Sequence, residues 1–337
     1  MADLSTNYMG LFLRNPLVAS ASPLSHTVDG VRRLADAGVG AVVMHSLFEE
    51  EVFAEAERQA ELAEAGSESF AESLSYFTDV PGVEAGGRRY LSVLERAAPV
   101  VDVPVIASLN GTTPKGWTRY AHQMESAGAS AIELNVYSSP PGADTSGREV
   151  EERHVEVLAL VKSAVSVPVA VKLSPYYSSV GEVALRLAEA GADALVLFNR
   201  FLHSDIDPEA LEVVAGLGLS SPSEGRLART WVALLRQRLD IGLAASTGVE
   251  SGDDVAKYLL AGADVVMTAS ALLRHGLGHA EILLDGLRDW MGRKGFASVS
   301  RLRGLLSVPP GPDQAGEERA GYVAALRAAN ANLVGPW

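Results

Sequence analysis

The fold of this chain is decided by two neighbouring stretches, Ala244-Ala245-Ser246-Thr247-Gly248-Val249-Glu250-Ser251-Gly252-Asp253-Asp254 and Leu259-Leu260-Ala261-Gly262-Ala263-Asp264-Val265-Val266-Met267-Thr268-Ala269-Ser270-Ala271-Leu272-Leu273. Each reads as a short apolar strand that runs into a turn of small residues and then into a helix. The last two units of a (β/α)₈ barrel build a phosphate site in this way. Small residues allow backbone N–H groups to approach phosphate oxygens. The two stretches therefore predict a phosphorylated ligand.

The same alternation of apolar strand, polar loop and amphipathic helix recurs along the chain and predicts an α/β fold. We expect eight strands, at residues 16–21, 41–45, 103–109, 131–136, 167–173, 194–199, 241–246 and 265–268. Four of the helices between them end just before a glycine, and the next strand follows at once. These glycines are Gly38, Gly128, Gly191 and Gly262. The expected architecture is a (β/α)₈ TIM barrel.

Two insertions and a C-terminal extension interrupt this alternation. Residues 49–88 combine an acidic helical run with a loop containing Gly and Pro, and residues 200–226 are rich in Gly and Ser. Long loops over a barrel mouth are typical of lids and binding loops, although the charges of residues 49–66 also fit a solvated helix. Further helices are expected at 281–293, 298–305 and 317–332. We predict a single domain over residues 1–337, with a barrel core at about 15–280, insertions over its C-terminal face and a helical extension at about 281–337.

Composition and charge narrow the classes of partner. The formal net charge of −14 disfavours nucleic acid and anionic membranes. No apolar run approaches the roughly 20 residues of a membrane span, and the first residues lack the layout of a signal peptide. We therefore expect a cytoplasmic protein that binds small molecules. With 0 cysteines and scattered histidines, the chain offers neither a thiolate nucleophile nor an iron–sulfur cluster, and we expect no metal.

Polar side chains at the C-terminal ends of the expected strands are the candidate functional residues, because the active sites of such barrels lie there. Lys172 lies in an otherwise apolar strand, and a buried ammonium group is costly unless it meets an anion or an electron-rich ring. It either contacts a ligand or forms a structural ion pair with Glu133 on the adjacent strand. Asn135 and Asn199 flank this lysine and either bind a ligand that offers donors and acceptors or satisfy loop backbone groups.

Several of these segments occur together in a known family. The chain resembles dihydroorotate dehydrogenases, most closely those of the soluble class, at Asn15-Pro16, Glu133-Leu134-Asn135, Val171-Lys172-Leu173-Ser174-Pro175-Tyr176, Asn199 and Ser246-Thr247-Gly248-Val249-Glu250-Ser251-Gly252. The resemblance spans roughly residues 15–276, and the order and spacing of the motifs agree. It implies a flavoprotein of pyrimidine metabolism that holds FMN non-covalently, acts on CH–CH bonds and forms a homodimer.

The resemblance also implies roles for individual residues. Lys172 would approach the pyrimidine edge of the flavin, where a cation stabilises the reduced form and favours hydride acceptance. Asn135 and Asn199 would face both flavin and substrate. The turn at Ser246, with Thr247 and Gly248, would hold the phosphate together with Ala269 and Ser270. The isoalloxazine ring would be lined by Ser20, Ala21 and Ser46.

The substrate side departs from the family pattern. In the soluble class the loop after strand four reads Leu-Asn-x-Ser-Cys-Pro-Asn, with the cysteine as general base, whereas residues 134–141 read LNVYSSPP. Ser138 or Ser139 takes the place of the base, depending on the direction of counting, and either serine needs help to remove a proton. His45 replaces a family lysine and is either a proton donor or acceptor or a buried imidazole. Glu84 falls at a substrate-binding position where the family has an amide, and its carboxylate would repel that of dihydroorotate unless it is protonated or paired.

The leading hypothesis is an FMN-dependent oxidoreductase that exchanges a hydride between flavin N5 and a small heterocyclic substrate, with dihydroorotate as the best named candidate. Ser138, Ser139 or His45 would move the proton. An ene-type reductase or a dihydropyrimidine-type dehydrogenase is the alternative within this class. A non-redox lyase with Lys172 as Schiff base, or a flavin-binding barrel that acts without catalysis in a complex, are the contrasting hypotheses. No second dinucleotide fingerprint is evident, so electron exchange with NAD(P)H requires a separate partner or direct access to the flavin.

Overall fold

The computed structural model describes residues 2–52, 86–111, 113–136, 144–200, 203–216, 218–311 and 314–333. The strands in these ranges are β1 (Thr6–Tyr8), β2 (Leu11–Leu13), β3 (Leu17–Ala19), β4 (Ala41–Phe48), β5 (Val105–Asn110), β6 (Ala131–Asn135), β7 (Val169–Leu173), β8 (Ala194–Leu197), β9 (His203–Asp207), β10 (Glu212–Gly216), β11 (Gly242–Ala245) and β12 (Val265–Thr268). A closed parallel barrel forms in the order β11, β12, β3, β4, β5, β6, β7, β8. Each of these eight strands overlaps an expected one, so the predicted (β/α)₈ barrel is confirmed.

Helices alternate with the barrel strands and then extend past them. They are α1 (Val28–Asp36), α2 (Gly86–Ala97), α3 (Pro114–Ser126), α4 (Gly147–Ala164), α5 (Val180–Glu189), α6 (Gly225–Leu235), α7 (Gly252–Ala261), α8 (Ser270–His275), α9 (His279–Lys294), α10 (Val299–Leu302) and α11 (Gln314–Leu333). The helices expected at the C-terminus correspond to α9, α10 and α11, although α10 is shorter than predicted. Among the described residues, none of the helices has the length and hydropathy needed to span a membrane.

Glycine sets the ends of four barrel helices, as the sequence predicts. Gly38, Gly128, Gly191 and Gly262 have φ angles of 95°, 94°, 94° and 122°. This left-handed region is strained for residues with a Cβ, so glycine at these positions lets the chain leave each helix and enter the next strand directly. The register of the barrel is thereby fixed by residues that lie outside it.

The interior of the barrel is closed at its N-terminal end by the β1–β2 hairpin, which the sequence did not predict. Tyr8 and Leu13 are buried among residues of the barrel wall such as Val18, Ile106 and Ala244. Thr6 donates a hydrogen bond from Oγ1 to the carbonyl of the residue that precedes β12, at 3.0 Å. Because this end is filled, a ligand-sized cavity is left to the opposite end, where the strands terminate.

The insertion at residues 200–226 contains a second unpredicted hairpin, formed by β9 and β10. The remainder of this insertion returns to the barrel mouth before α6 begins at Gly225. Of the helix expected at residues 49–66, the described part is 49–52, and these residues are helical. The rest of that insertion, up to residue 85, lies outside the described residues.

Candidate functional site

A cavity of about 240 Å³ lies at the C-terminal ends of β3, β7, β8, β11 and β12. We refer to it as the mouth cavity. The expected cofactor residues that line it are Ser20, Ala21, Lys172, Asn199, Ser246, Thr247, Gly248, Ala269 and Ser270. Asn135 and Ser46 are not part of its lining, although each lies next to it in the fold. The cavity is therefore placed where the alternation of strands and small-residue turns predicts a ligand.

Two small-residue turns form one wall of the mouth cavity. The turn after β11 carries two successive residues with positive φ, Thr247 at 80° and Gly248 at 69°. A Cβ on Gly248 would lie 2.7 Å from the backbone nitrogen of Gly225, so this position has no room for a side chain. The turn after β12 leads into α8 through Ser270, whose hydroxyl also lines the cavity.

A third segment, from the insertion at residues 200–226, joins these two turns. Ser220 accepts a hydrogen bond on Oγ from the backbone N–H of Gly248 at 3.3 Å and donates its own N–H to Ser270 Oγ at 3.0 Å. Its carbonyl accepts from the Arg274 guanidinium at 3.0 Å. The Gly- and Ser-rich composition of the insertion was a signal for a binding loop, but it did not single out Ser220.

Lys172 lies at the end of β7, between the small-residue turns and the rest of the mouth cavity. Its Nζ is 3.3 Å from Oε1 of Glu133, and the two residues are 8% and 1% exposed. The ion pair weighed from the sequence is thus present, and the same lysine lines the cavity. The other oxygen of Glu133 has no hydrogen-bond partner among the described residues. Lys172 therefore carries a buried positive charge that one carboxylate already faces.

The two amide side chains expected at the site contact each other. Asn199 donates from Nδ2 to Oδ1 of Asn135 at 2.7 Å. Asn135 ends β6 and is buried, whereas Asn199 follows β8 and lines the cavity. This bond leaves Asn135 with its amide nitrogen and Asn199 with its amide oxygen for other partners. The pair accordingly presents one donor and one acceptor to the same region.

His45 lies where the pairing of β4 with β5 shifts by one residue. Val43 pairs with Ile106 and Ser46 with Ser108, so β4 holds an extra residue between them. Irregularities of this kind redirect side chains and are common beside active sites. The imidazole of His45 packs 4.0 Å from that of His26, measured between ring centroids. His26 follows Ser22 and Pro23 of the cavity lining in the chain, but neither imidazole lines the cavity itself.

Burial, and secondarily the neighbouring His26, lowers the pKa of His45 from 6.5 to about 4. The imidazole is therefore neutral at pH 7. Its Nδ1 has no hydrogen-bond partner among the described residues. Next to it, the hydroxyls of Ser46 and Ser108 are 2.8 Å apart. The sequence left two interpretations of His45, a proton donor or acceptor and a buried imidazole. The structure shows a largely buried imidazole whose Nδ1 can still accept or donate a hydrogen bond.

Three expected residues cannot be placed. Ser138, Ser139 and Glu84 lie outside the described residues. Within the described ranges, no three His, Asp or Glu side chains are grouped as metal ligands would be. The cavity lining also includes residues that the sequence did not single out, namely Ser22, Pro23, Phe198, Arg200, Gly218, Leu219, Ser220, Val249, Met267, Thr268 and Leu273. Arg200, which lines the cavity, pairs with Glu224 at 3.0 Å, so this ion pair joins the two ends of the insertion.

Comparisons with known proteins agree with this geometry. The family model described as "Dihydroorotate dehydrogenase" matches residues 3–291. The chain is 31% identical over 310 residues to the catalytic subunit of dihydroorotate dehydrogenase B (NAD(+)) of Methanothermobacter thermautotrophicus, covering 90% of this chain and 98% of the relative. It is 28% identical over 308 residues to the subunit of the same name from Pyrococcus abyssi, with the same coverage. A putative dihydroorotate dehydrogenase A (fumarate) of Aeropyrum pernix is 30% identical over 230 residues, which cover 66% of this chain and 73% of the relative.

Proposed function

Because the chain belongs to the dihydroorotate dehydrogenase family, and so is a flavin-dependent oxidoreductase acting on a CH–CH bond, we propose that the mouth cavity binds FMN. One observation carries this proposal: the two small-residue turns and a buried lysine line the same cavity. The turns at Thr247 and Ser270 suit a phosphate group, and Lys172 suits the electron-rich edge of a flavin. We name the turns, together with Ser220, the phosphate end of the site.

The residues of the phosphate end offer the chemical groups that bind phosphate, and they lie together in the cavity. Gly248 has no room for a Cβ, and within the described part of the chain its N–H bonds to Ser220 Oγ alone, at 3.3 Å. Ser220, Thr247, Ala269 and Ser270 line the same space. Hydroxyl and N–H donors without intervening side chains are what phosphate oxygens require.

The reaction follows from this placement. When bound, FMN supplies a hydride acceptor at flavin N5. Lys172 then provides the positive charge that offsets negative charge on the reduced cofactor, and Asn135 with Asn199 orients substrate and ring through one donor and one acceptor. Ser138, Ser139 or His45 moves the substrate proton. Burial keeps the His45 imidazole neutral at pH 7, so its nitrogen is unprotonated as a base requires, but the lowered pKa makes it a weak base.

We further propose a small heterocyclic substrate, with dihydroorotate as the named candidate. A different small substrate is the second candidate, and one observation favours it. His45, within β4, is a neutral histidine where the family resemblance places a lysine, so the charge opposite a substrate carboxylate is reduced. Homodimer formation and a separate electron-transfer partner complete the proposal, since the relatives from Methanothermobacter and Pyrococcus are named as catalytic subunits of an NAD(+) enzyme.

An absorbance spectrum of the purified chain, followed by anaerobic addition of dihydroorotate, tests this function. We expect a flavin spectrum, with FMN released on denaturation, that bleaches on addition of the correct substrate. A flavin spectrum that dihydroorotate leaves unchanged would retain the flavin-dependent oxidoreductase and exclude dihydroorotate. A chain that stays colourless after reconstitution with FMN, and is trapped by borohydride with a carbonyl substrate, would instead support a Schiff base on Lys172.

The proton-moving residue is identified by rapid reduction of the holoenzyme in Ser138→Ala, Ser139→Ala and His45→Gln variants. Removal of a general base slows this step by about 10²- to 10⁴-fold. The other two substitutions should leave the rate within about tenfold. Three variants that all reduce at the rate of the wild type would exclude these residues from proton transfer.

A further inference from the structure

We propose that Tyr258 is a positioning residue that fixes the peptide between Thr247 and Gly248 in the orientation needed to bind phosphate. This inference rests on the proposed function, because it concerns the same turn. Tyr258 lies on α7, outside the mouth cavity, and its side chain is fully buried. It acts on the ligand only through the backbone that it holds.

The turn needs such support because of the residue at position 247. Thr247 has a φ of 80°, a region that residues with a branched Cβ rarely occupy. The following glycine adopts its φ of 69° without this penalty. An unsupported Thr247 would return to an extended conformation, and the turn would change shape. Something in the structure must therefore hold the threonine in place.

The hydroxyl of Tyr258 is in position to do so. It lies 2.7 Å from the carbonyl oxygen of Thr247, 3.0 Å from that of Ser246 and 3.3 Å from that of Gly225. Burial raises the pKa of this hydroxyl, so it remains a donor throughout the physiological range. The shortest of the three contacts identifies Thr247 as its principal acceptor.

The bond to this carbonyl determines where the next N–H points. The carbonyl of Thr247 and the N–H of Gly248 belong to one planar peptide unit and point in opposite directions when the unit is trans. With the carbonyl held on the buried side by Tyr258, the N–H of Gly248 is directed to the opposite side, where Ser220 Oγ accepts it at 3.3 Å. That N–H is the backbone donor of the phosphate end.

The surroundings of Tyr258 leave it little freedom. A Cβ on Gly225 would lie 2.9 Å from the Tyr258 oxygen and 3.1 Å from the Thr247 carbonyl oxygen, so glycine is required opposite the hydroxyl. On the ring face, the Arg229 guanidinium lies 5.5 Å from the ring centroid. The ring is therefore fixed from two sides, and the hydroxyl is held against the turn.

The test compares FMN with riboflavin, which lacks the phosphate, on the apoprotein of wild type and Tyr258→Phe. Binding is followed by quenching of flavin fluorescence. We expect Tyr258→Phe to weaken FMN binding about tenfold, as loss of one hydrogen bond predicts, and to leave riboflavin binding unchanged. The matched control is Tyr120→Phe, a buried tyrosine on α3, for which both affinities should equal those of the wild type.

A general loss of structure would weaken both flavins equally, so the ratio of the two affinities is the decisive quantity. If Tyr258→Phe fails to fold, Gly225→Ala replaces it, because the added Cβ displaces the hydroxyl without removing it. An unchanged FMN-to-riboflavin ratio in a folded variant, with wild type that binds FMN, would overturn this inference alone. Wild-type protein that binds neither flavin would overturn the proposed function and this inference with it.

Discussion

The two ends of the site are built in different ways. The phosphate end consists mainly of backbone, with Thr247 and Gly248 in a turn that glycine and buried hydrogen bonds hold. The other end, which we name the substrate end, consists of side chains: His45, Ser46 and Asn135, with residues 137–143 outside the described ranges. The family motifs are intact at the phosphate end, and the departures from them lie at the substrate end. A binding site made of backbone groups tolerates substitutions of neighbouring side chains, whereas the choice of substrate depends on the side chains at the substrate end. The sequence of the substrate end can therefore vary without loss of the phosphate end.

Lys172 lies between the two ends, and its substitution should have the largest effect. Lys172→Met leaves Glu133, which is 1% exposed, as an unpaired buried carboxylate. We expect the free energy of unfolding to fall by about 3–5 kcal/mol, measured by urea unfolding of the apoprotein. Binding at both ends should weaken together, because the barrel wall that joins them is affected.

The double variant Lys172→Met with Glu133→Gln separates charge from packing. Removal of both charges should restore most of the lost stability, because a neutral buried pair carries little desolvation cost. Lys162→Met is the control, since the pair with Asp193 is partly exposed and should be worth at most about 1 kcal/mol. A double variant as unstable as Lys172→Met would show that the lysine acts through packing.

Gly248→Ala should weaken binding at the phosphate end and leave the substrate end unchanged. The added Cβ would lie 2.7 Å from the Gly225 nitrogen and 2.8 Å from the Ser221 carbonyl oxygen, and the φ of 69° is unfavourable for alanine. We expect about 3 kcal/mol of lost FMN binding, or roughly 100-fold in Kd, measured by fluorescence titration. Gly292→Ala, where a Cβ meets nothing within 4 Å, should bind FMN as the wild type does.

Independence of the two ends is tested in the same variant. The NMR titration of His45 in Gly248→Ala should match that of the wild type, because the turn after β11 does not contact β4 in the barrel order. A changed His45 titration would show that the two ends are coupled and would remove the distinction between them.

At the substrate end, burial of His45 should make the free energy of unfolding depend on pH. The pKa of His45 is lowered to about 4 in the folded chain, so between pH 6.5 and about 4 the unfolded chain binds more protons. Stability from the neutral imidazole is complete above pH 6.5 and is lost as the pH falls to about 4. Because the imidazole is only partly buried, we expect roughly 1–2 kcal/mol after allowance for solvent screening.

Urea unfolding from pH 4 to 7 measures this loss as the difference between wild type and His45→Gln. The neighbouring groups His26, Arg89 and Tyr90 remain in both proteins, so the comparison isolates the substitution at position 45. His122→Gln is the control for loss of an exposed histidine elsewhere on the surface. Equal pH dependence in wild type and His45→Gln would place the imidazole in water rather than beside the cavity wall.

The sequence predicts features whose determinants lie close together in the chain. The eight barrel strands are continuous apolar runs, and glycines such as Gly191 and Gly262 mark the helix ends before them. The two turns of the phosphate end are equally local, since each follows its own strand within a few residues. For this reason the barrel and the small-residue turns of the mouth cavity were predictable without any structure.

Other features depend on contacts between distant segments and were not predicted. The strands of the β1–β2 hairpin are three residues long, too short for a period to be detected, and β9 reads HSDID with few apolar residues. Ser220 gains its position only from bonds to Gly248 and Ser270, which lie 28 and 50 residues away. The contact of His26 with His45 is likewise set by the fold.

The smallest expected effects come from one serine at each end, Ser46 and Ser270. Ser46→Ala leaves the fully buried hydroxyl of Ser108 without its partner, which should cost about 1 kcal/mol of unfolding free energy. Ser270→Ala removes the acceptor of the Ser220 N–H, so the loop over the phosphate end loses one of its ties. Ser46→Ala should keep the FMN-to-riboflavin affinity ratio of the wild type, whereas Ser270→Ala should lower it about threefold to tenfold. Equal ratios in both variants would show that the phosphate does not lie at the turn before α8, and the separation into two ends would then need a different boundary.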